Sequence, residues 1–263
     1  MTALAPAQLS SASAMSLTFK IVYAANAWPA KSISKKSPLN IAILDSSFNP
    51  PTLAHKELLL RTAAECPADA YLLLFSIKNA DKQLIGATAE QRLEMMKLLA
   101  ETINEQYPTC NVAVAVTEHA RFFEKANEIH AWYESQYPGQ EAQLAFIMGY
   151  DTVIRLVDQK YYDQPVEEAL EPFFSNNQVI CADRGGHSSE DVEGFWTTNT
   201  IARKFQSSIK RIHLDDATAD ISSSKVREQI VRDQDIKPLV DDRIYQYVGN
   251  HQLYLAEHST LLP

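Results

Sequence analysis

Five short apolar runs recur along the chain after residue 40, and each has the length of a buried β-strand. They are Ile41 to Leu44, Ala70 to Ile77, Val112 to Val116, Leu144 to Met148 and Val179 to Ala182. Segments with apolar residues at helical spacing separate these runs, namely Leu53 to Ala64, Ala89 to Ile103, Glu124 to Tyr133 and Thr152 to Leu156. This alternation predicts an α/β fold with a doubly wound, mostly parallel sheet. Ligands of such sheets bind beyond the carboxyl ends of the strands.

The pattern changes after the fifth run. Residues 184–189 are rich in glycine and serine and indicate a loop, and Ile209 to Leu214 predicts a last strand. Three serines, at positions 222–224, precede the periodic segment that begins at Val226, which marks the start of a helix. A final helix is predicted over Asp242 to Gly249. The C-terminal part of the chain is therefore expected to be helical.

The simplest division is one large α/β unit with additions at both ends. We expect residues 1–38 to be an extension that is partly disordered or an edge element, because it contains the strand-like run Leu17 to Tyr23. Residues 39–215 form the predicted core, and residues 216–263 form a helical C-terminal subdomain. The sequence has no internal repeat.

Composition and charge exclude several classes of protein. Apolar residues make up 46% of the 263 and charged residues 22%, which are ordinary globular values. The formal charge of -9 gives the chain no general attraction to nucleic acid or anionic lipid, so neither is expected as a partner. The chain has no apolar run of about 18 residues, so we expect a soluble protein.

Cysteine and histidine usage argues against a resident metal site. The three cysteines form no CxxC pair, which disfavours both a disulfide framework and a zinc site and fits a reducing compartment. The histidines show no HxxxH spacing, so zinc-dependent hydrolysis is disfavoured. The first 44 residues hold no acid, as in a transit peptide, but they also lack arginine. A cytoplasmic or nuclear location is expected, with mitochondrial import as the alternative.

The segment from Leu44 to His55 is the first candidate for chemistry. It leaves the first strand of the core and enters a helix, with Pro51 predicted at the first helical position. Backbone N–H groups at Ser46 and Ser47 are expected to point beyond the strand end, where they can bind phosphate. His55 follows Thr52 by three residues, so both side chains should project from the first turn toward that anion. Alternatively, the two prolines only shape a turn and the histidine is an ordinary surface residue.

The second candidate lies near the C-terminus. Serine hydroxyls and helix-start N–H groups precede Arg227, which is one turn into the helix, and such donors suit a triphosphate. Alone, this pattern is more often an N-cap with a solvated arginine. If both segments serve one function, His55 and Arg227 must face the same ATP.

These two segments together resemble the motifs of the nucleotidylyltransferases, G-[ST]-F-[ND]-P-x-[HT]-x-x-H and I-S-S-T-x-[IV]-R. The match is closest to the nicotinamide/nicotinic acid mononucleotide adenylyltransferases of the small fungal type. Further similar points follow in the same order, between about Ile41 and Tyr254. They are Asn79 to Lys82 with Arg92, Gly149-Tyr150-Asp151 for G-x-D, Arg184-Gly185-Gly186 for R-x-G, and Leu239-Val240-Asp241 in the last helical region.

The resemblance implies adenylyl transfer from ATP to a pyridine mononucleotide, with Mg²⁺ carried on the ATP. His55, Thr52 and Arg227 would take part in catalysis. The residues implied to bind ATP are Ser46, Ser47, Phe48, His55, Gly149, Asp151, Ser222, Ser223, Lys225 and Arg227. Those implied to bind the mononucleotide are Asn79, Lys82, Arg92, Phe122, Phe123, Tyr161, Tyr162 and Arg184. No protein metal ligand is expected.

The sequence also departs from the family pattern. Ser46 stands where the family usually has glycine, and a position that needs φ > 0 would tolerate serine poorly. Ser224 replaces a threonine, and Thr52 replaces a common histidine. Transfer to another phosphate acceptor, such as phosphopantetheine or flavin mononucleotide, stays open. So does a non-catalytic nucleotide-binding regulator, which the serine at position 46 keeps possible.

Overall fold

A seven-stranded sheet forms the centre of the protein. The computed structural model describes residues 18–25, 28–29, 38–77, 86–183, 188–215, 218 and 220–255. The strands are β1 (Lys20–Ala24), β2 (Leu39–Asp45), β3 (Ala70–Ser76), β4 (Val112–Thr117), β5 (Ala142–Gly149), β6 (Asn177–Asp183) and β7 (Ile209–His213). Their order in the sheet is β1-β4-β3-β2-β5-β6-β7. Strand β1 pairs antiparallel with β4, and the other pairs are parallel.

Helices connect the parallel strands and cover both faces of the sheet. They are α1 (Leu53–Glu65), α2 (Ala89–Gln106), α3 (Phe122–Gln136), α4 (Tyr150–Leu156), α5 (Val166–Asn176), α6 (Ser189–Thr198), α7 (Thr200–Lys204), α8 (Ser223–Val231) and α9 (Asp242–Asn250). Short 3₁₀ turns occupy Gln159–Tyr161 and Gln206–Ser208. None of the helices in the described part of the chain combines the length and apolar character needed to cross a bilayer.

The predicted fold class is confirmed, and the predicted strands of the core are found in order. The pattern did not predict α5, α6 or α7. Helix α5 contains Pro172, a residue that removes a backbone donor and normally argues against a helix interior. Helix α1 begins at Leu53 with Thr52 as its N-cap, so Pro51 lies before the helix and not at its first position.

The core lies in two layers, one on each face of the sheet. Strand β3 is buried along its full length, which explains its continuous apolar sequence. The extension contributes to this core through β1 and through Phe19, which is buried. Glu128 on α3 anchors that segment, since its carboxylate accepts hydrogen bonds from the backbone N–H groups of Thr18 and Phe19 and from the Thr117 hydroxyl.

The strand order reverses between β2 and β5, and this reversal positions the candidate site. The chain runs outward from β2 through β3 to β4 on one side, and from β5 through β6 to β7 on the other. The connections therefore leave on opposite faces, which opens a crevice at the carboxyl ends of the two central strands. Asp45 ends β2 and Gly149 ends β5, so both border this crevice.

Candidate active site

A polar cavity of about 220 Å³ lies at this crevice, and we call it the phosphate cavity. The ends of β2 and β5 and the starts of α1 and α8 contribute to its wall. Its lining includes Asp45, Ser46, Ala54, His55, Gly149, Thr152, Ser222 and Ser223. Two helix N-termini from distant parts of the chain thus border one opening, as the two sequence segments predicted.

His55 is held in a defined tautomer at the wall of the phosphate cavity. The backbone N–H of Thr52 donates to His55 Nδ1 over 3.0 Å, and Thr52 Oγ1 lies 2.9 Å from the same nitrogen. Because Nδ1 accepts a hydrogen bond, the neutral imidazole carries its proton on Nε2. The Phe48 ring packs against the imidazole, with ring centroids 4.9 Å apart. The ring orientation is therefore fixed from two sides.

Ser46 accepts a hydrogen bond from that imidazole. Its Oγ lies 3.0 Å from His55 Nε2, so the hydroxyl accepts this hydrogen bond and its own proton is directed elsewhere. The backbone N–H of Ser46 was predicted to be free for phosphate, but it donates to the carbonyl of Leu74 over 3.2 Å. Ser46 does not have a positive φ; in this turn Phe48 does, with φ 44. The residue therefore faces the cavity through its side chain and without backbone strain.

Helix α8 is attached directly to the segment that precedes α1. Ser223 donates to the carbonyl of Pro50 over 2.8 Å, and Arg227 Nη1 donates to the carbonyl of Asn49 over 2.7 Å. The two predicted segments therefore converge. Arg227 does not itself line the phosphate cavity, because its guanidinium is used to hold the backbone of the loop before α1.

A buried ion pair forms part of the wall of the phosphate cavity. Lys125 on α3 is almost fully buried, and its Nζ contacts Asp45 Oδ2. Burial raises the pKa of Asp45, and the charge of Lys125 opposes that rise. The same ammonium lies 5.2 Å from the centroid of the Phe122 ring. The ammonium of Lys125 therefore compensates the charge of the carboxylate at the cavity wall.

A second and larger cavity of about 540 Å³ adjoins the first, and we call it the aromatic cavity. Phe122 and Thr152 line both cavities, so the two are neighbours along one cleft. All four aromatic residues expected near the mononucleotide line the aromatic cavity: Phe122, Phe123, Tyr161 and Tyr162. Tyr162 donates its hydroxyl to the carbonyl of Leu156 over 2.6 Å, and burial raises its pKa.

Several other predicted ATP ligands lie away from the phosphate cavity. Phe48 is fully buried beneath His55, and Thr52 is buried as the N-cap of α1, so its side chain reaches the cavity only through the imidazole. Lys225 and Asp151 are exposed and do not line the phosphate cavity. Gly149, not Asp151, is the N-cap of α4. Ser47 is exposed in the loop directly after β2.

The predicted mononucleotide ligands are only partly described. Arg92 is buried, and its Nε donates to the carbonyl of Ala87 over 2.9 Å, so it is not a solvated residue of α2. It lines neither cavity, and burial lowers the pKa of its guanidinium. Asn79, Lys82 and Arg184 lie outside the described residues.

Sequence reasoning missed Asp45 in the phosphate cavity, its partner Lys125, and Arg121 and Arg155 in the aromatic cavity. A lysine or arginine in or beside a helix is ordinarily solvated, so no local pattern indicated these roles. Only the end of β2, directly before the loop, could have drawn attention to the aspartate. Among the described residues there is no group of three side chains that could hold a metal ion.

Together, the fold and the site define a doubly wound α/β protein with a nucleotide-type cleft at its switch point. The chain belongs to the cytidylyltransferase-like family, which it matches over residues 43–229.

Individual relatives are consistent with this family. A protein of Schizosaccharomyces pombe, named for nicotinamide mononucleotide adenylyltransferase, is 36% identical over 172 residues, or 65% of this chain and 61% of its own length. The nicotinamide/nicotinic acid mononucleotide adenylyltransferase of Arabidopsis thaliana is 21% identical over 81% of this chain and 89% of its own. The fold is similar to that of Plasmodium falciparum nicotinic acid mononucleotide adenylyltransferase complexed with NaAD, with a TM-score of 0.59 and 17% sequence identity. The match covers 82% of this chain and 97% of the Plasmodium chain.

Proposed function

We propose that this protein transfers the adenylyl group of ATP to nicotinamide mononucleotide or nicotinic acid mononucleotide. The products are NAD or its deamido form, and pyrophosphate. One observation carries the proposal: the starts of α1 and α8 border a single polar cavity that continues into an aromatic one. Polyphosphate suits the first cavity and a pyridine ring suits the second. The names of the relatives give the same reaction.

The chemistry needs no nucleophile from the protein. An oxygen of the mononucleotide phosphate forms a bond to the α-phosphorus of ATP, and the bond from that phosphorus to the pyrophosphate oxygen breaks. Both reactants are anions, so catalysis comes from holding them in line and from stabilising negative charge. The junction of the two cavities, at Phe122 and Thr152, is where the two phosphates meet in this proposal.

Protein donors at the junction serve that stabilisation. His55 and Ser46 form one unit, in which the imidazole orients the hydroxyl at the cavity wall. Ser222 and Ser223 bring the start of α8 to the opposite side. Arg227 acts on the loop before α1, because its guanidinium donates to the carbonyl of Asn49 and so holds the position at which α1 begins. Gly149 leaves room for the nucleoside at the end of β5, and Asp151 offers a carboxylate to its hydroxyl or amino groups.

Mg²⁺ belongs to the ATP in this scheme. The carboxylate that lines the phosphate cavity, Asp45, is already paired with Lys125, so the donor set fits a metal held mainly by phosphate oxygens and water. A bound Mg²⁺ ion would supply positive charge that compensates the charge of the phosphates. The protein residues keep the tasks of binding and orienting the two nucleotides.

The test is an assay of pyrophosphate release from ATP with each pyridine mononucleotide. We expect His55→Ala to lower turnover by about 10²-fold, the scale for removing one preorganised donor, while circular dichroism shows a folded protein. His251→Ala is the matched control, because that histidine is exposed beyond the end of α9. Undiminished turnover in His55→Ala would exclude this cavity as the reaction site.

The same assay separates the alternatives. Phosphopantetheine and flavin mononucleotide are supplied as acceptors, and turnover with either one alone would replace the pyridine assignment. ATP binding by calorimetry without pyrophosphate release from any acceptor would identify a regulator. Ser46 has no positive φ, so backbone strain at this position gives no support to the regulator.

A further inference from the structure

The charge of the aromatic cavity differs from that of the protein as a whole. The chain carries a formal charge of -9, yet among the residues that the structure describes none that lines this cavity is acidic. Within that described lining the charged side chains are Arg121 and Arg155, and the other residues are aromatic, aliphatic or threonine. A ligand in the cavity therefore meets positive charge in largely apolar surroundings.

Neither arginine is neutralised by a carboxylate among the residues that the structure describes. The Arg121 guanidinium lies over the Phe123 ring at 5.9 Å from its centroid. By contrast, Arg61, Arg211 and Arg243 each reach a carboxylate oxygen at 2.6 Å. The charge of Arg121 also acts inside the cavity, because it opposes the rise that burial causes in the pKa of Tyr162.

The two pyridine mononucleotides differ in the charge of the ring that would enter this cavity. The pyridine nitrogen is bonded to ribose and carries a positive charge in both. Nicotinamide mononucleotide adds a neutral amide, so its ring stays cationic and is repelled by nearby arginines. Nicotinic acid mononucleotide adds a carboxylate, so its ring is neutral overall and offers two oxygens to a guanidinium.

We propose that Arg121 and Arg155 make the aromatic cavity selective for the carboxylate form, nicotinic acid mononucleotide. This inference rests on the proposed function and names which of its two acceptors is preferred. Selectivity arises from attraction to the carboxylate and equally from repulsion of the uncompensated pyridinium. Both arginines are exposed, so water and salt weaken the interaction and keep the expected preference moderate.

The experiment compares kcat/KM for the two mononucleotides in the wild type and in the double variant Arg121→Met/Arg155→Met. Methionine keeps an unbranched apolar side chain and removes the charge. We expect the wild type to prefer the acid by about tenfold, on the scale of one charge-assisted hydrogen bond. In the double variant the ratio should fall to about one, because kcat/KM falls for the acid, which loses an attraction, and rises for the amide, which loses a repulsion. Added salt should reduce the wild-type ratio and leave that of the variant unchanged.

The matched control is Lys160→Met. This lysine lies 4.9 Å from the centroid of the Tyr161 ring, yet it is paired with Asp158 and does not line the cavity. Its loss should leave the ratio unchanged.

Three results would overturn the proposal. The first is an equal loss of kcat/KM for both mononucleotides in the double variant, which would mean that the arginines hold the shared phosphate. The second is a wild-type preference for the amide. The third is a ratio of kcat/KM between acid and amide that the double substitution does not change. If neither mononucleotide reacts with the wild type, the proposed function itself fails, which is a different outcome.

Discussion

The phosphate cavity and the aromatic cavity share one cleft but are built in different ways. In the phosphate cavity the polar groups are tied to one another: Thr52 to His55, His55 to Ser46, and Asp45 to Lys125. In the aromatic cavity the rings are partly exposed, as with Tyr161, which is 54% exposed. A site that stabilises developing charge needs fixed dipoles, whereas a site that stacks a ring needs only apolar area. The first cavity should therefore respond sharply to single substitutions, and the second gradually.

The strongest way to test this contrast is to break the buried ion pair. We expect Lys125→Met to lower the free energy of unfolding by about 3–5 kcal/mol, because it leaves the carboxylate of Asp45 buried without a partner. Urea unfolding at neutral pH measures the loss. Asp45→Asn/Lys125→Met removes both charges and should recover most of the stability. A double variant as unstable as the single one would show that the pair is not the source of the effect.

The pH dependence of Lys125→Met has a defined sign. Burial raises the pKa of Asp45 in the folded protein, and loss of the lysine removes the charge that opposes the rise. A carboxyl whose folded pKa exceeds its unfolded pKa destabilises the protein increasingly as the pH rises through the folded value. The deficit of the variant should therefore shrink as the pH is lowered and Asp45 takes up a proton.

The second prediction concerns α3, which supplies a wall to both cavities. Burial tends to raise the pKa of Glu128, but hydrogen bonds from Thr18, Thr117 and Phe19 outweigh it and hold that pKa below its usual value. We expect Glu128→Gln to cost about 1–3 kcal/mol of unfolding free energy at neutral pH, the range for hydrogen bonds to a charged group.

Because the folded pKa of Glu128 is depressed, its stabilisation is present above the unfolded pKa of about 4.3 and is lost as the pH falls through the folded value. Wild type and Glu128→Gln should therefore converge in acid, which urea unfolding across this range measures. His119 Nε2 lies 3.7 Å from Glu128 Oε2. Introducing His119→Ala into the wild type and into Glu128→Gln therefore separates the contribution of this histidine to the pH dependence of stability from that of the hydrogen bonds. A difference that stays constant with pH would contradict the assignment.

The contrast between the cavities also explains what the sequence could predict. The order of strands and helices followed from apolar spacing, because a buried parallel strand must be apolar on both faces. Thr52 and His55 could be placed together because they are three positions apart at the start of one helix. Lys125 could not, since its partner lies 80 positions away and only the crossover of the sheet brings them together. Arg121 and Arg155 were missed because nothing local distinguishes a cavity-lining arginine from a solvated one.

The smallest expected effect concerns the hydroxyl of Ser46 in the phosphate cavity. Ser46 Oγ accepts a hydrogen bond from the Nε2–H of His55, so in this chain the serine hydroxyl is the donor that extends toward the ligand. Ser46→Ala removes that donor and keeps the Cβ that limits how closely a phosphate can approach the imidazole. Turnover should therefore fall about tenfold, which corresponds to about 1.4 kcal/mol of activation free energy. Ser46→Gly opens the direct path to Nε2 and should lose less than Ser46→Ala. The measurement is kcat and KM for ATP in both variants, with thermal unfolding as the control for folding. If Ser46→Ala is as fast as the wild type or faster, the serine only competes for the histidine proton, and the imidazole alone contacts the phosphate.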